Sequence, residues 1–327
     1  MPTILILRFS AMGDVAIAAS VMKEVAAQNS ETQFVFATQD FFAPLFAHIP
    51  NLVVFPINFT KNYKGITGLF RLYRDLNRNY KIDAIADLHN LFRSKLLKLC
   101  FRFSLKRIKI ATINKGRKEK RALCQEYNLD KKPLVATWQR YAEVFQKLKL
   151  KIAIKFSPIP YFPEKIKKIG ISPFAKHQGK VYPPELMEKV LELLSAKYEI
   201  YLFGGGKTEQ EWGDKWQNRF NNVHSLIGKK KLEEELTSIS HLDVMLSMDS
   251  SGMHLASLCK IPCISIWGAT HPYSGFVGLG QENNPQIQLE LPCRPCSVYG
   301  NKPCKYKDYR CLYRITPETI AKTFILT

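Results

Sequence analysis

No apolar run in this chain of 327 residues approaches the ~18–20 that a membrane-spanning helix needs, so none is expected. Acidic residues are scarce. Asp and Glu number 28 against 48 Lys and Arg, a formal net charge of +20. That surplus predicts an anionic partner: nucleic acid, an acidic membrane surface or a phosphorylated substrate. Cysteine is sparse as well, and eight thiols in a chain of this length exclude a disulfide scaffold. The opening stretch lacks the basic region of a secretory signal, and Arg8 and Asp14 interrupt it, so it reads as mature protein of a reducing cytoplasm. No solenoid repeat or low-complexity tract is present. With 46% hydrophobic and 23% charged residues, a disordered chain is excluded, and the length suits two domains of roughly 150 residues each.

What is present is an alternation of short apolar runs and amphipathic stretches. Ile4–Leu7 reads as a buried strand, and Val15, Ala18, Ala19, Met22, Val25 and Ala26 have helical spacing over 15–28. Further strands are expected at Phe34–Ala37, Leu52–Phe55, Ala84–Leu88 and Ile108–Ala111, with helices near 66–79, 91–103 and 137–148. A proline-rich stretch over 156–163 breaks the pattern and sets a domain boundary, giving 1–160 and 161–327. The alternation then restarts. Strands are expected near Lys168–Ile171, Glu199–Phe203, Asp243–Leu246 and Cys263–Trp267, and helices at Pro184–Ala196, Glu209–Arg219, Leu232–Ser240 and Met253–Leu258. Pro317–Leu326 reads as a last short helix, with a return onto the first domain as one placement. This is an α/β pattern of two doubly wound, mostly parallel sheets, whose carboxyl ends could face a common cleft.

Six segments carry chemistry. Arg8–Val15 follows the first strand; its Ser10, Gly13 and Asp14 make a strand-to-helix turn in which Asp14 either caps the helix or acts as a general base. Phe203–Glu209 is glycine-rich, but a Walker A loop would need glycine where Tyr201 stands. It remains a turn or a close approach to a nucleotide, with Glu209 a surface carboxylate or a ribose ligand. Ser247–His254 places Asp249, Ser250, Ser251 and Gly252 at a helix start, an anion site, with His254 packed beneath it or facing the ligand. Ser172–Pro183 offers Lys176, His177 and Lys180, either solvated or beside a phosphate. From Arg93 to Arg121 there are twelve Lys or Arg, Arg117 among them, with interleaved apolar residues: a solvated face or one that lies on acidic lipid. Finally, Cys293, Cys296, Cys304 and Cys311 fall within 19 residues. Their second pair is too widely spaced for a zinc ribbon, so free thiols or a labile disulfide are favoured over structural zinc.

Together these segments resemble glycosyltransferase family 9, the heptosyltransferases of the lipopolysaccharide inner core. Leu7–Val15 (LRFSAMGDV) resembles the family's opening signature, and Ile85–Leu97 (IADLHNLFRSKLL) its Asp-Leu…Ser segment. Ser172–Glu185 resembles the Lys-x-Trp-Pro segment with Tyr182 for Trp. Met248–Pro272 resembles the Asp-Ser/Thr-Gly-x-x-His-Leu-Ala signature, and the cysteine run resembles the heptosyltransferase II branch. Within Met248–Pro272, Ser251 stands where the family has Gly, and Ala269 and His271 stand where its following Gly-Pro-Thr-Asp-Pro has Pro and Asp.

The resemblance implies a GT-B fold of two Rossmann-like domains and an inverting, metal-independent transfer from a nucleotide-sugar, usually ADP-heptose. It implies Asp14 as general base, Lys180 on the diphosphate, and Glu209 near the ribose. Ser172, Asp249, Ser250, Ser251, Gly252 and His254 would surround the sugar and phosphates. The implied acceptor is a phosphorylated lipid A/Kdo-type core, met by Ser10, Gly13, Arg93, Arg117 and Arg121, on a monomer held at the inner leaflet by anionic lipid. No metal or other cofactor and no nucleic acid are expected. The rival readings are a same-fold transferase using another nucleotide-hexose, and a non-catalytic basic protein that binds nucleic acid or membrane.

Overall fold

The computed structural model describes residues 1–103, 108–125, 131–153 and 157–324. The chain forms two compact units: Met1–Lys115 with Thr137–Lys155, and Gly116–Ala136 with the rest from Phe156 on.

In the first unit, strands β1 (Thr3–Leu7), β2 (Gln33–Gln39), β3 (Leu52–Ile57), β4 (Ile82–Asp87) and β5 (Lys109–Thr112) form one parallel sheet. Its order is β3-β2-β1-β4-β5. The helices are α1 (Met12–Gln28), α2 (Gly65–Asn79) and α3 (Phe92–Arg102); α4 (Arg117–Leu123) belongs to the second unit, and α5 (Thr137–Lys147) returns to the first. β1 is buried along its whole length, as a strand covered on both faces must be. The core gathers Leu5, Val35, Ile85, Leu72, Leu76, Leu97 and Phe101.

The second unit contains β6 (Lys168–Ser172), α6 (Pro184–Ser195), β7 (Glu199–Leu202), α7 (Lys207–Arg219), β8 (Val223–Ser225) and α8 (Leu232–Ser240). β9 (Val244–Met248), α9 (Ser251–Leu258), β10 (Cys263–Ile266), β11 (Gln286–Ile287), α10 (Arg310–Tyr313) and α11 (Pro317–Lys322) complete it. Its sheet is also parallel, in the order β11-β10-β9-β6-β7-β8. In each unit the first strand lies inside the sheet, and the order reverses beside it, between β1 and β4 and between β6 and β9. Such a reversal leaves a crevice at the carboxyl ends of the strands, where ligands of these folds bind.

Three expectations change. Residues 116–136, assigned by chain order to the first domain, pack in the second unit. The Lys120 ammonium sits 3.8 Å from the Phe276 ring centre, and the Leu134 N–H donates to the Tyr273 carbonyl at 2.9 Å. The described part of the tail packs in the second unit's core: Ile320 and Phe324 join it, and the hydroxyls of Tyr182 and Tyr198 donate to the carbonyls of Ile315 and Phe324. Leu326 lies outside the described residues, as do Lys106 and Arg107 of the basic stretch. Strands β8 and β11 were not expected, being too short to show a period.

Candidate functional site

The first unit builds its site where β1 and β4 end. Leu7 pairs with Asp87 in register, so Arg8 emerges beside the β4 terminus. Arg8 is buried; it donates to the Leu88 carbonyl at 2.9 Å and forms an ion pair with Asp14 in the first turn of α1. Burial opposes the guanidinium's charge, but Asp14, Tyr141 and Asp87 around it leave its pKa raised. The Asp14 side chain is 32% exposed against 6% for Arg8, so the carboxylate is the member that faces out. α1 has no side-chain cap, and Asp14 is engaged by Arg8, so the capping reading is not the one adopted. Gly13 precedes it in the same turn, and Ser10 lies just before the helix, half-buried.

Asp87 is fully buried and accepts from the backbone N–H groups of His89 and Asn90, from the Ser94 hydroxyl at 3.2 Å, and pairs with Lys98 at 2.6 Å. His89 packs on Phe9 with ring centres 5.1 Å apart. Burial, then Arg8 and Lys115, push its pKa down to about 4. Sequence reasoning missed Asp87, Ser94, Lys98 and His89 as one cluster. The signal was there in Asp87–Lys98, a strand end followed by a helix whose first and second turns supply Ser94 and Lys98.

The second unit builds its site where β6 and β9 end. Ser172 pairs with Ser247 in register. Gly252, in the first turn of α9, packs so closely that an added Cβ would stand 2.5 Å from that of Ser172. Only glycine lets the helix start approach the strand ends this nearly, which accounts for its place one residue after Ser251. The Ser250 hydroxyl turns to Ser247 at 3.3 Å instead of capping α9. The first-turn N–H groups of a helix have no acceptor within it, so this start presents donors and positive potential. Beside it, the Lys180 ammonium stands 3.0 Å from the buried Asp249 carboxylate. Here the cation is the more exposed member, 18% against 4%. His254 is buried in the body of α9. His177, nearby in sequence, has its pKa lowered by burial and by Lys176 and Lys180.

Glu209 folds back over the glycine-rich turn and accepts from the Gly205 N–H at 2.8 Å. Burial raises its pKa, and the Gly205 N–H partly offsets that. His271 is buried and accepts from the Tyr273 N–H at 3.1 Å; burial, then Arg294 and Lys131, push its pKa down to about 4.

The described part of the basic stretch is divided between the two units. Arg93 lies on α3 of the first unit, with its guanidinium 4.5 Å from the Phe59 ring centre, whereas Arg117 and Arg121 lie on α4 of the second. The four clustered cysteines are free thiols; burial raises the pKa of Cys296, and that of Cys311 to about 11. Among the described residues, no group of three or more His, Cys, Asp or Glu is arranged to hold a metal ion, and no helix is long and apolar enough to cross a membrane.

Residues 69–307 match the profile of glycosyltransferase family 9 (heptosyltransferase). The chain is similar to lipooligosaccharide heptosyltransferase 2 of Campylobacter jejuni, 25% identical over 94% of each chain. Among solved structures it is similar to the Escherichia coli ADP-heptose lps heptosyltransferase II, with a TM-score of 0.68 at 17% identity over 99% of this chain and 97% of that one. A family 9 glycosyltransferase of Veillonella parvula superposes with a TM-score of 0.72 at 15% identity, over 98% of this chain and 96% of that one.

Proposed function

From the premise that the chain belongs to glycosyltransferase family 9 and has that family's GT-B fold, we propose that it transfers heptose from ADP-heptose to a lipopolysaccharide inner-core acceptor with inversion. The observation that carries this reading is the outward carboxylate of Asp14, held from behind by buried Arg8. Asp14 takes the proton of the acceptor hydroxyl as that oxygen attacks the anomeric carbon. The bond from that carbon to the diphosphate breaks, and the nucleoside diphosphate leaves with its electron pair. One general base of this kind contributes about 10²–10⁴-fold.

The second unit supplies what the leaving group needs. Lys180 and the start of α9, with Ser172, Ser250, Ser251 and Gly252, meet the diphosphate with a charge and N–H donors. Asp249 orients Lys180, and His254, buried in α9, lines the donor side of the same helix. Glu209 keeps the glycine turn closed and offers its remaining lone pairs to the ribose. No metal is needed, because fixed positive charge stands where the diphosphate departs. The acceptor, a phosphorylated lipid A/Kdo-type core, meets Ser10, Gly13 and Arg93. The basic surface, Arg117 and Arg121 included, holds the enzyme on anionic lipid of the inner leaflet, at ~1 kcal/mol per basic residue near the surface.

A second donor stays in view for one reason: neutral, buried His271 stands where the family has an acid. Calorimetric titration of ADP, GDP, UDP and CDP separates the two. Preference for ADP, with an inverted anomeric product from ADP-heptose, supports the proposal. Preference for another base moves the donor to a different nucleotide-sugar.

A further inference from the structure

Lys180 ends a single 3-10 turn, Gln178–Lys180, that belongs to neither sheet nor α-helix. Its side chain is long and rotamer-rich, and a free lysine in a loop loses much of its value as an anion ligand to ordering entropy. What holds this one comes from the other end of the second unit. The backbone of Gly300 lies against the Lys180 stem: a Cβ at 300 would stand 2.3 Å from Lys180 Cγ and 2.7 Å from Cδ. Gly300 also has φ +73°, a conformation that favours glycine. The Tyr309 hydroxyl donates to Gln178 Oε1 at 3.2 Å. The Gly179 carbonyl accepts from the Ala269 N–H at 2.8 Å, and the Ala269 carbonyl in turn accepts from the N–H groups of Cys296 and Ser297 at 3.1 and 3.2 Å.

Arg294 anchors this arrangement. It is 2% exposed, and its charge is met by carbonyls of Trp267, Gly268, Thr270 and Leu289 and by Gln288 Oε1. None of these acceptors is a carboxylate. A guanidinium buried on neutral acceptors is costly unless its geometry is tightly held, and its planar fork fixes the loop 267–270 to the cysteine-bearing segment.

We propose that the segment 293–309 is a brace for Lys180, with Gly300 the positioning residue that touches its stem and Arg294 the anchor. The inference rests on the assignment of Lys180 to the donor diphosphate. The brace acts by limiting the conformations the lysine must lose when the anion arrives, and the cysteines mark the segment without being its working groups.

The test is a double-mutant cycle. The nucleoside diphosphate among ADP, GDP, UDP and CDP that binds the wild-type chain most tightly is titrated into wild type, Gly300→Ala, Lys180→Ala and the double variant, with thermal melting of each. Gly300→Ala is expected to weaken binding about tenfold in the wild-type background and to add nothing in the Lys180→Ala background. An equal loss in both backgrounds, or none in either, overturns the brace. Unchanged affinity in Lys180→Ala alone would instead remove the assignment on which the brace rests. Should Gly300→Ala fail to fold, Tyr309→Phe removes one exposed hydrogen bond to the same turn. It is expected to cost about two- to threefold, again only when Lys180 is present; wild-type affinity in that variant overturns the brace.

Discussion

Both units place an ion pair at the point where their strand order reverses, but they turn opposite members outward. In the first, Arg8 is the buried member and Asp14 the more accessible one; in the second, Asp249 is buried and Lys180 the more accessible. The same device, a charge fixed from behind by a desolvated partner, therefore presents an anion on one unit and a cation on the other. An outward carboxylate suits proton removal, and an outward ammonium beside a helix start suits a diphosphate. On the proposed reading, the two parts of the transfer are divided by the sign of the charge that each unit turns outward.

The comparison can be broken most sharply at Asp14. Asp14→Asn is expected to lower turnover about 10³-fold while leaving ADP affinity within about threefold. Near-normal turnover in steady-state assays would end the base assignment, and a large loss of ADP affinity would end the division of labour. Lys180→Ala comes next, with ADP binding weakened about ten- to thirtyfold by calorimetry, the worth of a charge-assisted contact. If the variant bound ADP normally but lost turnover as Asp14→Asn does, the two halves would not be distinct in role.

Acidification sharpens what the units share. His89 and His271 stay neutral in the folded chain down to about pH 4, whereas an unfolded histidine protonates near 6.5. The unfolded state therefore binds more protons between those values, and stability falls as pH drops from about 6.5 toward 4, by on the order of 3 kcal/mol per histidine. Melting curves of His89→Gln and His271→Gln should each lose less over that window than wild type; parallel pH slopes would refute the assignment. The smallest effect is expected from chelation. Dialysis against EDTA should leave turnover within about twofold, because the positive charge is carried by Lys180 and the start of α9. A loss restored by added metal would transfer that role to an ion.

Much of this was legible in the sequence because parallel strands buried on both faces read as short apolar runs, and each run was followed by a helix with its own period. The turns that carry Asp14 and Asp249 were legible because a turn at a strand end needs small and polar residues, whereas Lys180 read as a solvated loop residue until the resemblance singled it out. Arg294 was not. A guanidinium met mostly by main-chain carbonyls, with the neutral Gln288 amide beside them, leaves no charged partner in the sequence to find. His89 was hidden for a similar reason: its pKa is set by burial and by Arg8, eighty-one positions earlier in the chain. The twelve basic residues of 93–121 looked like one face because charge runs carry no mark of a chain crossing. α4 lies in the second unit, where Lys120 meets the Phe276 ring, a contact far along the sequence.

That crossing has a consequence for how the protein is made. The chain enters the second unit at Gly116, leaves it at Ala136 and returns near residue 156. On the ribosome, α4 emerges before any strand of the sheet it joins, and it must wait for Phe276 to be synthesised before its lysine has a partner. A single cut in the proline-rich stretch would leave α4 on the fragment without its core. Every segment of the first unit has been made by residue 155, whereas the second, begun at Gly116, is completed only when the chain beyond Phe276 exists.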